Sequence, residues 1–516
     1  MKKGEYFDSV SLMITANKIS QMQGVIDSAV VMGTKENKAI LKQSGFLLDE
    51  FVNAEDTDLL LAVKAESEET AQKVLAIIGE ELKQIRKRGE TAKDFAPRSL
   101  DGAVEMMPDA NLSLISVAGK YAADEARKAL EKGLHVMLFS DNVPLEKEIE
   151  LKKYALEKNL LVMGPDCGTA IINGVPLAFA NVVKRGNIGI VAASGTGLQE
   201  VTTLISNGGG GISQAIGTGG RDVKKEVGGM MFIAAIRALA EDQNTDVVLL
   251  ISKPPHPDVL QKIGAEVKKI KEPTVAVFLG ADPEQVRSFG ITPAADLEEG
   301  ARKVLELAGI TPTLSSPMDT AKVAKETAAK LNEKQKYLRA LFTGGTFCSE
   351  TQVILSGLKD VYSNAPTAGS STLTDVLKSQ KHTVIDLGDD VFTLGRPHPM
   401  IDFSSRNKRI MEEAKDPETA VILLDLVLGY GANMTPLPIL VPVIKEAKQL
   451  AEAQGRVLPF VASVTGTDED PQNRSRVVES LERAGVLVCR SNAEASKLCK
   501  QIIDELVQGR DLSRPK

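Results

Sequence analysis

The sequence predicts an α/β protein in which consecutive Rossmann-like or flavodoxin-like parallel-sheet domains follow a small α+β domain. From Leu112 onward, short apolar strands alternate with amphipathic helices, a pattern typical of parallel sheets covered on both faces. Before residue 95, apolar and amphipathic runs alternate without that regular repeat. Ligands of parallel sheets bind beyond the carboxyl ends of the strands, so the turns after the strands hold the candidate sites.

The strand and helix signals also divide the chain into segments. A polar stretch ending at Ala96-Pro97 and a Pro/Ser-rich, charged stretch before Tyr337 are typical of linkers. The predicted segments are a small α+β domain at 1–95, α/β domains at 99–186 and 187–310, a linker with a helical portion at 311–336, and a third α/β domain at 337–509. In the second of these α/β groups we expect strands at 188–192, 213–216, 247–251 and 274–278.

Composition excludes several classes of protein. Hydrophobic residues make up 43% of the 516 residues and charged residues 25%, which is ordinary for a soluble globular protein, and no apolar run is long enough to span a membrane. A net charge of −7, the absence of Trp and an aromatic content of 4% argue against nucleic acid as a partner. The amino terminus lacks the apolar segment of a signal peptide, so we expect a cytoplasmic protein.

Cysteine and histidine spacing gives no metal signal. The cysteines are scattered without CxxC spacing, which favours neither a disulfide framework nor a zinc site; they are Cys167, Cys348, Cys489 and Cys499. No HExxH pattern accompanies the histidines. We therefore expect buried thiols and no metal.

The stretch NIGIVAASGTGLQE, which begins at Asn187, predicts a buried strand, a small-residue turn and a helix. The turn residues are Ser194, Gly195, Thr196 and Gly197. A helix that starts there presents unpaired N–H donors and a positive dipole end, which favour a phosphate or a carboxylate. The alternative is an ordinary strand-to-helix turn with a serine cap.

Other turns repeat this pattern. RALFTGGTFCSETQVIL again reads as strand, Gly-Gly turn and helix. In AVILLDLVLGYGANMTP, Gly429, Gly431 and Asn433 are predicted to open a helix after a buried strand, as a second anion-facing helix start.

Two histidines lie between prolines that fix the backbone, His256 in KPPHP and His398 in GRPHP. An imidazole in such a place is a candidate acid, base or carboxylate ligand, and Arg396 beside His398 can clamp a carboxylate. The alternative for each histidine is a turn residue that is hydrogen-bonded to backbone. His135 and His382 start strands and are expected to be structural.

A family resemblance rests on three strings in one order and spacing: GPDCGTAIING, GNIGIVAASGTGLQEV and GISQAIGTGGRDV. Together they resemble the α subunit of succinyl-CoA synthetase-type acyl-CoA ligases. GRPHPMIDF and LVLGYGANM resemble loops in the carboxyl-terminal domain of the β subunit, and the joined chain resembles the FdrA family of predicted acyl-CoA synthetases.

The resemblance implies a CoA-binding-like domain at 99–186, a ligase-like domain at 187–310 and a β-subunit-like domain at 337–509. It implies that two helix starts, at Ser194 and at Gly429, face one phosphoryl group. It also implies a loop contacting CoA or another ligand, formed by Gly164, Asp166, Cys167 and Gly168.

The sequence departs from the ligases where they use ATP. The loop that carries their phosphorylated histidine corresponds to SFGITPAAD at 288–296, which has no histidine. The nucleotide-grasp domain is missing, and no clear CoA cradle precedes Leu112.

Phosphorolysis needs no ATP, so the resemblance implies a subunit of an enzyme like oxamate carbamoyltransferase, with phosphate or an acyl phosphate bound, CoA as a further possibility, and other protein subunits as partners. The alternatives are a CoA ligase that borrows a nucleotide-binding chain and a non-catalytic scaffold or regulatory paralogue.

Overall fold

A computed structural model describes residues 1–512 except 6, 8–11, 13–14, 17, 20–21, 44, 94–96, 98, 314–317 and 394–395. The chain forms two compact units. The first contains residues 1–109 and 390–398, and the second contains residues 110–389 and 399–516.

The first unit is built around an antiparallel pair of strands, in which Val30 lies opposite Leu61. Its core includes Phe51, Leu59 and Ile78, all fully buried. Its elements are β1 (Val25–Met32), α1 (Lys35–Gln43), α2 (Asp49–Val52), β2 (Leu59–Ala65), α3 (Glu68–Lys93) and α4 (Leu100–Met106), with a short helix at Asp390–Thr393.

The second unit opens with a three-stranded parallel sheet in the order β3-β4-β5. The first helix of this region has small, fully buried residues on one face, which let the helix pack closely against the sheet. They are Ala122, Ala126 and Ala129. The elements are β3 (Leu112–Ile115), α5 (Gly119–Glu131), β4 (His135–Leu138), α6 (Leu145–Glu157) and β5 (Val162–Met163).

A seven-stranded sheet follows, in the order β12-β11-β10-β8-β9-β6-β7. Strands 8 to 12 run parallel, while β6 and β7 add an antiparallel edge. The elements are β6 (Thr169–Ile172), β7 (Val175–Ala178), β8 (Arg185–Ala192), α7 (Gly195–Asn207), β9 (Ile212–Gly217), α8 (Met230–Glu241), β10 (Val247–Ser252), α9 (Pro257–Val267), β11 (Thr274–Phe278), α10 (Pro283–Arg287), β12 (Thr292–Pro293) and α11 (Leu297–Leu307).

A second seven-stranded sheet, entirely parallel, has the order β15-β14-β16-β13-β17-β18-β19. Its central β17 is buried at every residue, as expected for a strand covered on both faces. The elements are α12 (Thr320–Ala328), β13 (Tyr337–Phe342), α13 (Gly345–Ile354), β14 (Val361–Ser363), β15 (Ser371–Thr372), β16 (His382–Asp386), α14 (Ser404–Lys415), β17 (Thr419–Val427), α15 (Pro436–Glu452), β18 (Phe460–Thr465), α16 (Arg474–Arg483), β19 (Val486–Cys489) and α17 (Asn492–Leu512).

The α/β class with parallel sheets and a small amino-terminal domain is confirmed, and the strands expected at 188–192, 213–216, 247–251 and 274–278 are β8 to β11. Two details differ. Residues 169–178, placed in the 99–186 segment, form β6 and β7 of the following sheet because Ile171 pairs with Ala215. The helical portion expected within 311–336 is α12, and the difference is that its Ala324 is fully buried in the core shared with α17. The domain boundaries themselves stay a prediction.

Among the described residues, no helix combines the length and apolar character needed to cross a membrane.

A buried ion cluster joins the three-stranded region to the sheet that follows. Lys152 Nζ donates to Glu148 Oε1 and to Asp222 Oδ1, both at 2.8 Å, and all three side chains are fully buried. Arg221 Nε lies 2.8 Å from Glu148 Oε2, and Asp222 also accepts from the N–H of Phe232 at the start of α8. The cluster holds the loop after β9 against α6.

We expect Lys152→Ala to lower the free energy of unfolding by about 3–5 kcal/mol, because it leaves the buried carboxylate of Asp222 without its cation and leaves Glu148 with Arg221 alone. The measurement is the urea midpoint of the full chain. Lys153→Ala, at the exposed neighbouring position, is the matched control and should change the midpoint little. Equal midpoints for the two variants would contradict the role of the cluster.

Candidate functional site: two apposed helix starts

The turn after β8 forms the predicted helix start. Ser194 has extended backbone, and its Oγ accepts a hydrogen bond from the N–H of Gly197 at 3.0 Å, which caps α7. The first intrahelical bond runs from Leu198 N to Ser194 O. The N–H groups of Gly195 and Thr196 therefore precede the helical hydrogen-bond ladder and have no acceptor in it.

A second helix start lies beside it, after β13. Gly344 is the extended residue before α13 and offers no side-chain cap, and the first helical bond runs from Cys348 N to Gly344 O. The N–H groups of Gly345, Thr346 and Phe347 thus also lack helical acceptors. Thr343, just before them, is held by hydrogen bonds to the buried carboxylate of Asp425.

The two helix starts touch directly. Ser194 Oγ and Thr346 Oγ1 are 2.5 Å apart in a hydrogen bond that either hydroxyl could donate. A Cβ on Gly344 would lie 2.4 Å from Thr196 Cγ2, and one on Gly197 would lie 2.9 Å from Thr346 Cγ2. Glycine at 344 and 197 is therefore required by the closeness of the two turns.

Uncapped N–H groups and two positive dipole ends favour an anion. The surroundings of the pair are largely buried, but Gly195 and Gly345 are half-buried and leave the two turns partly open. An anion that reaches both turns would receive backbone donors from two helices. We refer to Ser194–Gly197 and Gly344–Thr346 together as the paired helix starts.

A lysine and an aspartate border α13 at its first residue. From the position of a Cβ on Gly345, Asp386 Oδ2 is 2.7 Å away and Lys253 Nζ is 3.7 Å away. Lys253 follows β10 and is exposed, whereas Asp386 ends β16 and is buried. Burial raises the pKa of Asp386 to about 7, although the N–H of Gly388 and the charge of Lys253 act to lower it.

Deeper along the two helices lies a pair of buried glutamates. Asn492, the first residue of α17, links them: its N–H donates to Glu200 Oε1 at 3.1 Å and its Nδ2 donates to Glu350 Oε2 at 2.7 Å. Desolvation raises the pKa of Glu200, and it raises the pKa of Glu350 to about 8 with help from the charge of Asp296. This polar pair clamps α7, α13 and α17 together.

The predicted helix start at Gly429 is wrong. Residues 429–435 form a loop, and α15 begins at Pro436. Gly429 and Gly431 have positive φ and pack on the backbone and ring of the 178–181 segment. Asn433 donates from its backbone to Met400 O and from its side chain to Ile401 O, so it fastens a loop. The helix that meets α7 is α13.

The backbone N–H groups of Asp166 and Cys167 in the GPDCG loop are hydrogen-bonded within the protein. Asp166 N donates to Ser140 O, Cys167 N donates to Leu138 O, and a Cβ on Gly164 would lie 2.2 Å from Leu138 O. Burial raises the pKa of the Cys167 thiol to about 12. These residues support the fold and offer few donors to CoA, although Gly168 lies close to Gly195.

The histidines divide by role. His256 caps α9, with Nδ1 accepting from Asp258 N at 3.3 Å. His135 and His382 each accept a backbone N–H, from Leu161 and Leu338. Burial lowers the pKa of both, that of His382 to about 4. These contacts agree with structural roles.

Arg396 and His398 fall in the first unit. Arg396 is exposed, and burial lowers the pKa of His398 to about 4. Their part in substrate binding stays a prediction.

The remaining cysteines are buried as expected, and the described residues contain no group of His, Cys, Asp and Glu suited to a metal ion. The residues that sequence reasoning missed are Gly344–Thr346, Lys253 and Asp386. The Gly-Gly turn of RALFTGGTFCSETQVIL was a signal for the first of these. Lys253 begins the KPPHP string, in which only His256 was singled out, and Asp386 carries no local motif.

Comparison with known proteins identifies two regions. Residues 341–502 match the CoA-ligase family model, and residues 1–97 match the model of the AllF heavy metal-associated domain. Residues 1–97 contain neither Cys nor His, so they lack the thiolate and imidazole ligands that soft and borderline metals prefer.

Several proteins are similar to longer parts of the chain. "Uncharacterized protein YahF" of Escherichia coli (strain K12) is 42% identical over 510 residues, covering 98% of this chain and 98% of that protein. "Succinate--CoA ligase [ADP-forming] subunit alpha 2" of Archaeoglobus fulgidus is 26% identical over 228 residues, covering 42% of this chain and 77% of that subunit. The crystal structure of PH0766 from Pyrococcus horikoshii OT3 covers 78% of this chain and 85% of that chain at 14% identity, with a TM-score of 0.31.

Stability should depend on pH through Glu350. Its pKa of about 8 in the folded state lies above the ordinary glutamate value of 4.5, so the folded state binds the proton more tightly and stability falls as pH rises from 4.5 to 8. We expect the thermal midpoint of Glu350→Gln to fall less steeply over this range. Glu333→Gln, at an exposed position, is the control. Parallel curves for wild type and Glu350→Gln would contradict this assignment.

Proposed function

Because this chain belongs to the family of YahF and its carboxyl-terminal region matches the CoA-ligase model, we propose that it is a phosphate-handling subunit related to succinyl-CoA synthetase-type ligases. The paired helix starts bind phosphate or an acyl phosphate. The observation that carries this proposal is the direct contact between two helix amino termini through Ser194 and Thr346, which leaves backbone N–H groups of both turns without helical acceptors, with the ammonium group of Lys253 beside them.

The reaction class that suits the site is phosphorolysis of an N-carbamoyl amide, as in an oxamate carbamoyltransferase. Oxalurate and phosphate would give oxamate and carbamoyl phosphate: a phosphate oxygen bonds to the carbamoyl carbon, and the bond from that carbon to the amide nitrogen breaks. The proton of hydrogen phosphate ends on the leaving nitrogen, so the reaction needs neither ATP nor a redox partner. The relation to FdrA-type proteins rests on the sequence resemblance. Ureide or allantoin breakdown would be the setting, in the cytoplasm.

For a carboxylate ligand, Arg396 of the first unit is the candidate predicted from the sequence, with His398 beside it in the chain. His256 is a weaker candidate for acid–base chemistry because its Nδ1 is engaged in capping α9. Other protein subunits are expected as partners, because the relative from Archaeoglobus fulgidus is a subunit of a ligase.

A second candidate function is CoA ligation with a nucleotide-binding domain supplied by another chain. The CoA-ligase match over 341–502 and the likeness to a succinate–CoA ligase α subunit favour it. The GPDCG loop argues against CoA ligation, because the N–H groups of Asp166 and Cys167 already donate to backbone carbonyl groups of the protein. A non-catalytic scaffold remains the third candidate, and it predicts no phosphate binding.

Phosphate titration tests the site. We expect the full chain to bind phosphate, observed as broadening of the phosphorus-31 resonance, and Gly344→Ala to weaken binding by about tenfold or more because its Cβ separates the two turns. Thr346→Val, which keeps the side-chain volume but removes the hydroxyl pair, should also weaken it.

Gly79→Ala is the control, because its Cβ would meet nothing closer than 4.0 Å. Equal phosphate affinity in all four proteins would rule out the paired helix starts as the site. The complex co-purified from the native host, assayed with oxalurate and phosphate and separately with ATP, CoA and acids, distinguishes carbamoyl transfer from CoA ligation.

Incubation with ATP labelled in the γ-phosphate should leave no acid-labile phosphohistidine on this chain, with or without CoA. The 288–296 loop has no histidine, and Ser288 donates to the backbone of Gln285. The measurement is retention of label at high pH and its loss in acid. Label on His256 or His398 would contradict this reading.

A further inference from the structure

We propose that Asp386 and Lys253 are the catalytic pair of the paired helix starts, with Lys253 binding the phosphate charge and Asp386 moving the phosphate proton to the leaving nitrogen. This inference rests on the proposed phosphorolysis. It adds two residues that follow or end strands of different sheets, Lys253 after β10 and Asp386 at the end of β16.

The position of the pair is fixed by the strands. Asp386 is the last residue of β16, where it pairs with Phe342 of β13, and the turn that opens α13 follows Phe342 directly. Lys253 follows β10, which pairs with β8, and the turn that opens α7 follows β8. Each side chain therefore reaches the paired helix starts from the strand beside one of the two helices.

The hydrogen bonds of the described residues leave one carboxylate oxygen of Asp386 and the ammonium group of Lys253 available to a ligand. Asp386 Oδ1 accepts from the N–H of Gly388 at 2.9 Å, whereas Oδ2, the oxygen nearest Gly345, accepts from no described residue. Lys253 Nζ makes no hydrogen bond or ion pair with any residue that the structure describes. A buried carboxylate normally has hydrogen-bond partners for its oxygens, so the open Oδ2 of Asp386 marks a place for a ligand, and the exposed ammonium group of Lys253 lies next to it.

The surroundings of Asp386 give it a proton affinity suited to transfer near neutral pH. Burial and the charges of Asp389 and Asp425 raise its pKa to about 7, while Lys253 acts to lower it. Cys348 of α13 also faces it, and burial raises the pKa of that thiol to about 12, so the thiol stays protonated. Asp425 itself lies against Arg406, and Lys253 is a cation whose charge acts on Asp386.

The step balances without a further reactant. Hydrogen phosphate lies at the N–H groups of Gly195 and Gly345 with its charge against Lys253. The carboxylate of Asp386 accepts the phosphate proton as the oxygen bonds to the carbamoyl carbon. The bond between that carbon and the amide nitrogen then breaks, and Asp386 returns the proton to the nitrogen. General acid–base transfer of this kind contributes about 10²–10⁴-fold to a rate.

Sulfate binding tests the pair without catalysis, because sulfate keeps two charges across the pH range used. In wild type, affinity should fall by about tenfold as pH rises from 6 to 8.5, since ionised Asp386 repels the anion. In Asp386→Asn, affinity should stay nearly level over that range, and Lys253→Met should lose most binding at every pH. The matched controls are Asp124→Asn and Lys153→Met, at exposed positions on α5 and α6.

Turnover of oxalurate and phosphate by the co-purified complex supplies the second readout. Asp386→Asn should lower kcat by about 10²-fold or more without raising the KM for phosphate, whereas Lys253→Met should raise that KM. Far-ultraviolet circular dichroism and the thermal midpoint establish that each variant is folded.

The possible failures are distinguishable. Wild type that binds neither phosphate nor sulfate and does not turn over oxalurate overturns the proposed function, and this inference with it. Wild type that binds both anions, with Asp386→Asn showing the wild-type pH dependence and kcat, overturns the assignment of Asp386 alone. Unchanged binding in Lys253→Met overturns the assignment of Lys253.

Discussion

The contact between the amino termini of α7 and α13 is the constraint on which the rest of the site depends. Two positive helix ends repel each other, and here they are held close enough for a Ser194–Thr346 hydroxyl bond. An anion between them would relieve that repulsion, so the arrangement favours anion binding over an empty site. The small residues at 197 and 344 follow from the same closeness.

The two halves of the site are built alike. In each, a buried parallel strand ends in a small-residue turn, a threonine follows at the second helical position, and a glutamate lies six residues after the cap: Ser194, Thr196 and Glu200 in one, Gly344, Thr346 and Glu350 in the other. Asn492, the first residue of α17, donates hydrogen bonds to both glutamates and so links the two helices at their buried side. The buried end fixes the angle of the helices, and the open end presents their donors.

Local signals in the sequence were sufficient for the strands and for the Ser194 turn, because a β-branched run followed by small residues and a cap is defined within a few positions. The prediction of a helix start at Gly429 was wrong because the same sequence pattern, glycines after a buried strand, occurs whether a helix begins at once or after a loop. Pro436, at the first position of α15, was the better signal. A place for Lys253 and Asp386 in the site could not be predicted from the sequence, because only the order of strands in two sheets brings them close to Gly345.

The most direct measurement is a crystal structure of the full chain grown with phosphate, and again with selenate to locate the anion by its anomalous signal. The account predicts one anion whose oxygens lie within about 3.2 Å of a backbone nitrogen in each turn, at Gly195 or Thr196 and at Gly345 or Thr346. An anion bound at one helix start alone, or well-ordered paired helix starts with no anion at saturating phosphate, would contradict it.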